Sequence, residues 1–196
     1  MSKGEETRQT ILARAFELAS TWGLAGVTIG RLAEHTGLSK SGLFAHFGSK
    51  EALDVAIVGE ASRVFIETVV SPALRQPRGE PRVRALFEHW LRWSERSGGC
   101  FFVAITAELD DHEGPARTAL EQTTKDWIDA LATASRIAMV EGHFRKDLDP
   151  HQFAFEAHSI MLGAHMYSRF LRDERAVDRT RRAVDALVST SRKPVS

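Results

Sequence analysis

This sequence predicts an all-α protein, and three observations carry that prediction. No alternating apolar and polar run is long enough to make a confident half-buried strand. Apolar residues recur instead at helical spacing along most of the chain. Glycines and prolines interrupt those stripes often enough to divide the chain into about nine helices.

The elements follow in order. Ile11, Ala15, Leu18 and Ala19 form the first stripe, with Leu12 and Phe16 beside it, and Trp22 and Gly23 close that helix. Thr28 opens a short helix over Ile29–Thr36, which Gly37 ends as a C′ glycine. Ser39 offers the side-chain oxygen of an N-cap to a third helix, Lys40–Phe47. Ser49, followed by Lys50 and Glu51, starts a fourth that runs to about Val70. Pro72, Pro77, Gly79 and Pro81 then break the pattern and mark the best linker candidate. The next helix runs from Arg82 to Arg96, with Phe87, Trp90, Leu91 and Ser94 on one side, and Gly98 and Gly99 stop it. Residues 101–109 make a short apolar helix or, as the lesser alternative, a buried strand. Pro115 suits a helix start, and that helix reaches about Val140 and ends at Gly142. Asp149 and Pro150 open another to about Arg172, and the last spans Arg175 to about Ser189.

Composition narrows the function. With 196 residues, 43% hydrophobic and 27% charged, the chain has the make-up of soluble globular protein. Its longest apolar run, Cys100 to Ile105, falls far short of the roughly 18 residues of a membrane helix. The opening Ser2, Lys3, Gly4, Glu5, Glu6 does not read as a secretory signal. A single cysteine, Cys100, excludes an internal disulfide framework and a multi-cysteine zinc site; it reads as a buried, inert thiol in a cytoplasmic protein. The net charge of zero hides a small asymmetry. Lys3, Arg8, Arg14, Arg31, Lys40 and Lys50 face only Glu5, Glu6, Glu17 and Glu34 in the first fifty residues, so a slightly basic head precedes a slightly acidic body.

That head carries the main signal. Two short helices joined by Thr36, Gly37 and Leu38 make a helix-turn-helix pattern. Ala33 is small where two helices must approach, and Leu38 and Leu43 are apolar where the second helix packs. Lys40, Ser41 and Ala45 would project outward, where Lys and Ser reach base edges or phosphates. The stretch TIGRLAEHTGLSKSGLFAHFGSKEAL, from Thr28 to Leu53, closely resembles the DNA-binding signature of TetR-type (tetracycline-repressor-like) regulators, and the preceding helix fits the same pattern. The resemblance covers about residues 7–56. It implies a helix-turn-helix DNA-binding domain over 1–50, joined to a helical ligand-binding and dimerisation domain over 51–196. It places Thr28 as a cap that touches phosphate, Lys40 and Ser41 against bases, and His46 and Lys50 against phosphate. Ser39, Gly42 and Phe44 complete the implied DNA-binding set, with Arg31. Two departures matter. Phe44 stands where the family usually has a phosphate-binding Tyr, lacks the hydroxyl, and reads first as a packing residue. Gly30 replaces the long base-reading side chain of some members, which shifts readout towards Arg31 or the recognition helix.

The body is rich in large apolar side chains with polar helical neighbours such as His89, His158 and His165. By resemblance it holds a pocket for a small, largely apolar effector that weakens DNA binding. The implied lining is Trp90, Trp93, Phe101, Phe102, Ile105, Trp127, His158, Met161 and His165. His151, His158 and His165 recur two turns apart and cannot share one metal ion by themselves, so neither a metal nor a cofactor is expected. Phe153, Ala157, Ile160 and Ala164 make one stripe, and Phe155, Leu162 and Met166 make another. A helix apolar on two sides needs two partners. In this family the second is the same helix pair of another subunit, which implies a homodimer on a near-palindromic double-stranded operator. The expectation is therefore a ligand-released homodimeric repressor, without a membrane partner. An activator or a nonspecific DNA-binding protein shares the same head. An enzyme is the remote alternative, because no nucleotide, metal or triad motif is present.

Overall fold

Ile11, Leu12, Ala15, Phe16 and Ala19 are buried along one face of α1 (Lys3–Gly26), as their spacing requires. The computed structural model describes residues 3–193. At Gly23 the backbone swings to φ 72°, ψ 174°, so the regular helix stops after Trp22. Leu24 and Val27 are then buried in the turn that leads to α2 (Ile29–Thr36). Gly37, at φ 69°, ends α2 in the left-handed conformation, which only glycine enters without steric cost. Helix α3 (Lys40–Phe47) is anchored by buried Leu43 and Phe47.

Helix α4 (Lys50–Phe65) continues through a π-helical turn, Ile66–Val70, into the short α5 (Ser71–Leu74). Then come α6 (Glu80–Ser94), α7 (Phe101–Leu109), α8 (Pro115–Val140), α9 (Pro150–His165) with a second π-helical turn at Met166–Phe170, and α10 (Ala176–Ser191). With α4 and α5 joined through the first π turn, the all-α architecture of nine helices is met among the described residues. The alternative of a strand at 101–109 is excluded, since α7 lies there. An isolated antiparallel bridge, Phe144 to Arg192, is the only β pairing among the described residues. No helix among them is long and apolar enough to cross a membrane.

The linker is shorter than the prolines suggested. Pro72 lies in the first turn of α5 and Pro81 in the first turn of α6. Pro81 is tolerated there because its missing N–H had no intrahelical acceptor, whereas Pro72 comes just after the π turn in a continuous helix.

The chain divides into two compact units. The first comprises residues up to 64 together with 96–123, and the second 65–95 together with the rest from 124. In the first, Phe101 of α7 sets its ring edge-on to Phe16 of α1, with centroids 5.4 Å apart. Buried Glu60 of α4 holds α1 by accepting from Gln9 Nε2 at 2.8 Å. In the second, Phe87, Trp90, Phe144, Phe153 and Val188 are fully or almost fully buried.

Candidate nucleic-acid interface and body sites

Helices α2 and α3 are held by their caps. Thr28 Oγ1 accepts the Arg31 N–H at 3.2 Å and caps α2. Ser39 Oγ accepts the Gly42 N–H at 3.1 Å and caps α3, with Ser41 Oγ also 3.1 Å away. Such caps satisfy amides that have no intrahelical partner and contribute about 1 kcal/mol each. Gly42 therefore serves the cap through its amide.

With Leu43 and Phe47 buried, the opposite face of α3 presents Lys40, Ser41, Phe44 and Ala45 side by side, all exposed. Lys40 leans over Gly30: a methyl group there would lie 3.5 Å from Lys40 Cε and 3.9 Å from Thr28 Oγ1. Thr28, Gly30 and Lys40 thus share one corner of the head. Phe44 departs from its packing role, being 55% exposed beside Lys40. One turn of helix separates the two, so they share a face, and burying Leu43 forces Phe44 outward.

Two residues expected at DNA are engaged within the head. The Arg31 guanidinium lies 5.4 Å from the Trp22 ring centroid and donates to the Gly26 carbonyl at 3.3 Å. Lys50 Nζ donates to the Leu24 carbonyl at 2.9 Å and pairs with Asp54. Burial pushes the Asp54 carboxyl up, against the opposing pull of Lys50. His46 is half-buried, 6.3 Å from the Phe47 ring.

The residues expected to line a pocket fall in both compact units. Phe101, Phe102 and Ile105 belong to the first, where Phe101 and Ile105 are core. Trp90, Trp93, Trp127, His158, Met161 and His165 belong to the second. There Phe65 stands edge-on to both Trp93, at 5.2 Å, and Trp127, at 5.0 Å. Phe65 was not singled out in the sequence, because its helical neighbours gave it no pattern distinct from ordinary core. His158 and His165 are half-buried, and burial lowers the pKa of each. Both rings therefore favour the neutral form, which suits an apolar environment.

Comparison with known proteins bears on both parts. Residues 11–57 match the family model of bacterial regulatory proteins, tetR family, and residues 79–184 match the tetracyclin repressor-like C-terminal domain. The transcriptional repressor AcnR of Corynebacterium efficiens is 40% identical over 67 residues, a match that spans 34% of this chain and only 36% of that protein. A TetR transcriptional regulator from Chloroflexus aurantiacus superposes with a TM-score of 0.85 at 27% identity, covering 96% of each chain. AibR, solved in complex with isovaleryl coenzyme A and operator DNA, gives a TM-score of 0.72 at 25% identity, over 96% of this chain and all of that one (100%).

Proposed function

The chain belongs to the TetR family of bacterial transcriptional regulators, and on that premise we propose a homodimeric repressor that leaves a near-palindromic operator when a small, largely apolar molecule binds its body. Residues 1–50 read the DNA, and residues 51–196 bind the effector and the second subunit. The observation that carries the reading is the outer face of α3, where Lys40, Ser41, Phe44 and Ala45 stand together while Leu43 and Phe47 anchor the helix. Lys donates to guanine O6 and N7, Ser reaches either bases or phosphate, and apolar groups meet thymine methyls. Thr28 and His46 supply phosphate contacts that set register.

Regulation by an effector draws support from AibR, which binds both an acyl-coenzyme A and operator DNA on the same fold. The aromatic cluster of Phe65, Trp93 and Trp127 in the second unit, and the half-buried His158 and His165 on α9, are the residue types, apolar with a few polar groups, that ligand sites use. Dimerisation draws support from α9, which leaves Phe155, Leu162 and Met166 exposed in one stripe while Phe153 and Ala157 are buried. Beside it a groove of about 410 Å³ is lined by small residues, Gly163, Ala164, Ala176 and Ala183, together with the larger or polar Ile160, Tyr167, Arg179 and Thr180. Small residues of that kind let a second helix pair approach closely.

The test is selection of genomic fragments by the purified protein at physiological salt, followed by sequencing of what is retained. A few sharp sites sharing an inverted repeat are expected. Retention spread evenly over the genome, with similar affinity for all duplexes and a steep salt slope, would replace this reading with nonspecific binding.

A further inference from the structure

Helix α7 lies far from the helix-turn-helix in sequence, yet one of its side chains grips the segment from which α2 departs. The Leu24 N–H donates to Glu108 Oε2 at 2.9 Å, and the Ala25 N–H donates to the other carboxylate oxygen at 2.5 Å. The same peptide is held from its other side, where the Leu24 carbonyl accepts from Lys50 of α4. Gly23 makes room for the carboxylate: a Cβ there would come 2.5 Å from Glu108 Oε2. The chain approaching α7 is equally close to α1, since a Cβ on Gly98 would lie 1.7 Å from the Ser20 carbonyl oxygen. All of these residues lie in the first compact unit.

We propose that Glu108 is a positioning residue for DNA reading: its carboxylate clamps the α1–α2 junction and fixes the attitude of α2 and α3 on the α1 scaffold. The proposal rests on the reading of the head as an operator-binding module. Two amides bound by one carboxylate remove the freedom of the junction to pivot at Gly23. Charge-assisted bonds of this kind are about twice as strong as neutral ones. Base readout needs α3 placed to within hydrogen-bonding tolerance, whereas phosphate attraction does not. Loss of the clamp therefore acts on specific binding first.

The experiment compares the full-length protein with Glu108→Gln and Glu108→Ala, at a temperature where circular dichroism shows all three folded. Gly23→Ala attacks the same junction from the opposite side, driving a methyl group into the carboxylate. Amide hydrogen exchange is expected to accelerate at least about tenfold at both Leu24 and Ala25 in Glu108→Ala, where both bonds are lost, and at one of the two in Glu108→Gln, whose amide keeps a single acceptor oxygen. Affinity for a duplex selected from the genome is expected to fall about tenfold, while affinity for random duplex of equal length holds. An unchanged ratio of selected to random affinity, with accelerated exchange, overturns the positioning role. Unchanged exchange overturns the clamp itself. If the unsubstituted protein prefers no sequence, the operator reading fails instead, and the exchange result alone then reports whether the clamp exists.

Discussion

On the proposed reading, the greatest share of base recognition falls to Lys40, whose ammonium stands at the corner formed with Thr28 and Gly30. Replacing it with Ala is expected to weaken selected-duplex binding by about 1–3 kcal/mol if it pairs with a base. Equal weakening on random duplex, measured by fluorescence anisotropy, would show that it only neutralises phosphate. Phe44 makes the complementary prediction. It is exposed on the same face, so Phe44→Tyr leaves the core untouched and restores the hydroxyl to which the family resemblance assigns a phosphate contact. Binding to selected and random duplexes should tighten together, by about 1 kcal/mol for one added hydrogen bond. Tightening on the selected duplex alone would assign the hydroxyl to a base. At this scale the caps were legible in the sequence, because Thr28 and Ser39 satisfy amides only a turn away. The engagement of Arg31 with Trp22 and of Lys50 with Leu24 was not. Both depend on where the end of α1 returns in space, which no local pattern states. The outward turn of Phe44 was missed because aromatic character argued for burial, whereas the helical phase set by Leu43 and Phe47 decided otherwise.

Elements are placed by their ends as much as by their apolar stripes. Helix α6 shows this at Glu80, its first residue. Arg84 Nε donates to Glu80 Oε1 at 2.7 Å, and Arg192, just beyond α10, donates to both oxygens at 2.9 and 2.6 Å. The Arg192 guanidinium, with Arg84 beside it, holds the carboxyl at about 2, well below its ordinary 4.5. A carboxyl depressed in the folded state stabilises fully above about pH 4.5 and loses that contribution as pH falls towards 2. The Arg192 side chain is half exposed, so solvent screening keeps the contribution well below what the shift alone would imply. Glu80→Gln is accordingly expected to lower the midpoint of thermal unfolding at pH 7. It should also flatten the fall in stability between pH 4.5 and 2. A variant whose stability falls with acid as steeply as before would remove Glu80 from the balance. The α6 start itself was displaced by the proline rule: Pro81 reads as a breaker in sequence, but at the first turn it has no bond to break. The π turns at Ile66–Val70 and Met166–Phe170 contain no glycine or proline themselves, though Pro72 follows the first by two residues.

For the whole molecule, the decisive quantity is how many heads meet one duplex. Each head carries only a small excess of basic residues, so a single head neutralises few phosphates. In the proposed dimer, two heads joined through α9 and α10 would double that number and hold both half-sites in register. In that proposed dimer the interface is assigned to the exposed stripe of Phe155, Leu162 and Met166. Leu162→Glu places a charge at its middle, where a facing copy would bury it without a partner, at a cost of several kcal/mol. Sedimentation equilibrium is expected to show a monomer that keeps its helical content, since Leu162 contributes little to the fold of its own chain. The salt dependence of DNA binding then gives an independent reading. The slope of log K against log salt scales with the phosphates neutralised, so it should fall to about half. Preference for the inverted repeat over a single half-site should vanish with it. A variant that stays dimeric would move the interface off α9, and a monomer with the slope and preference of the parent would mean that one head suffices.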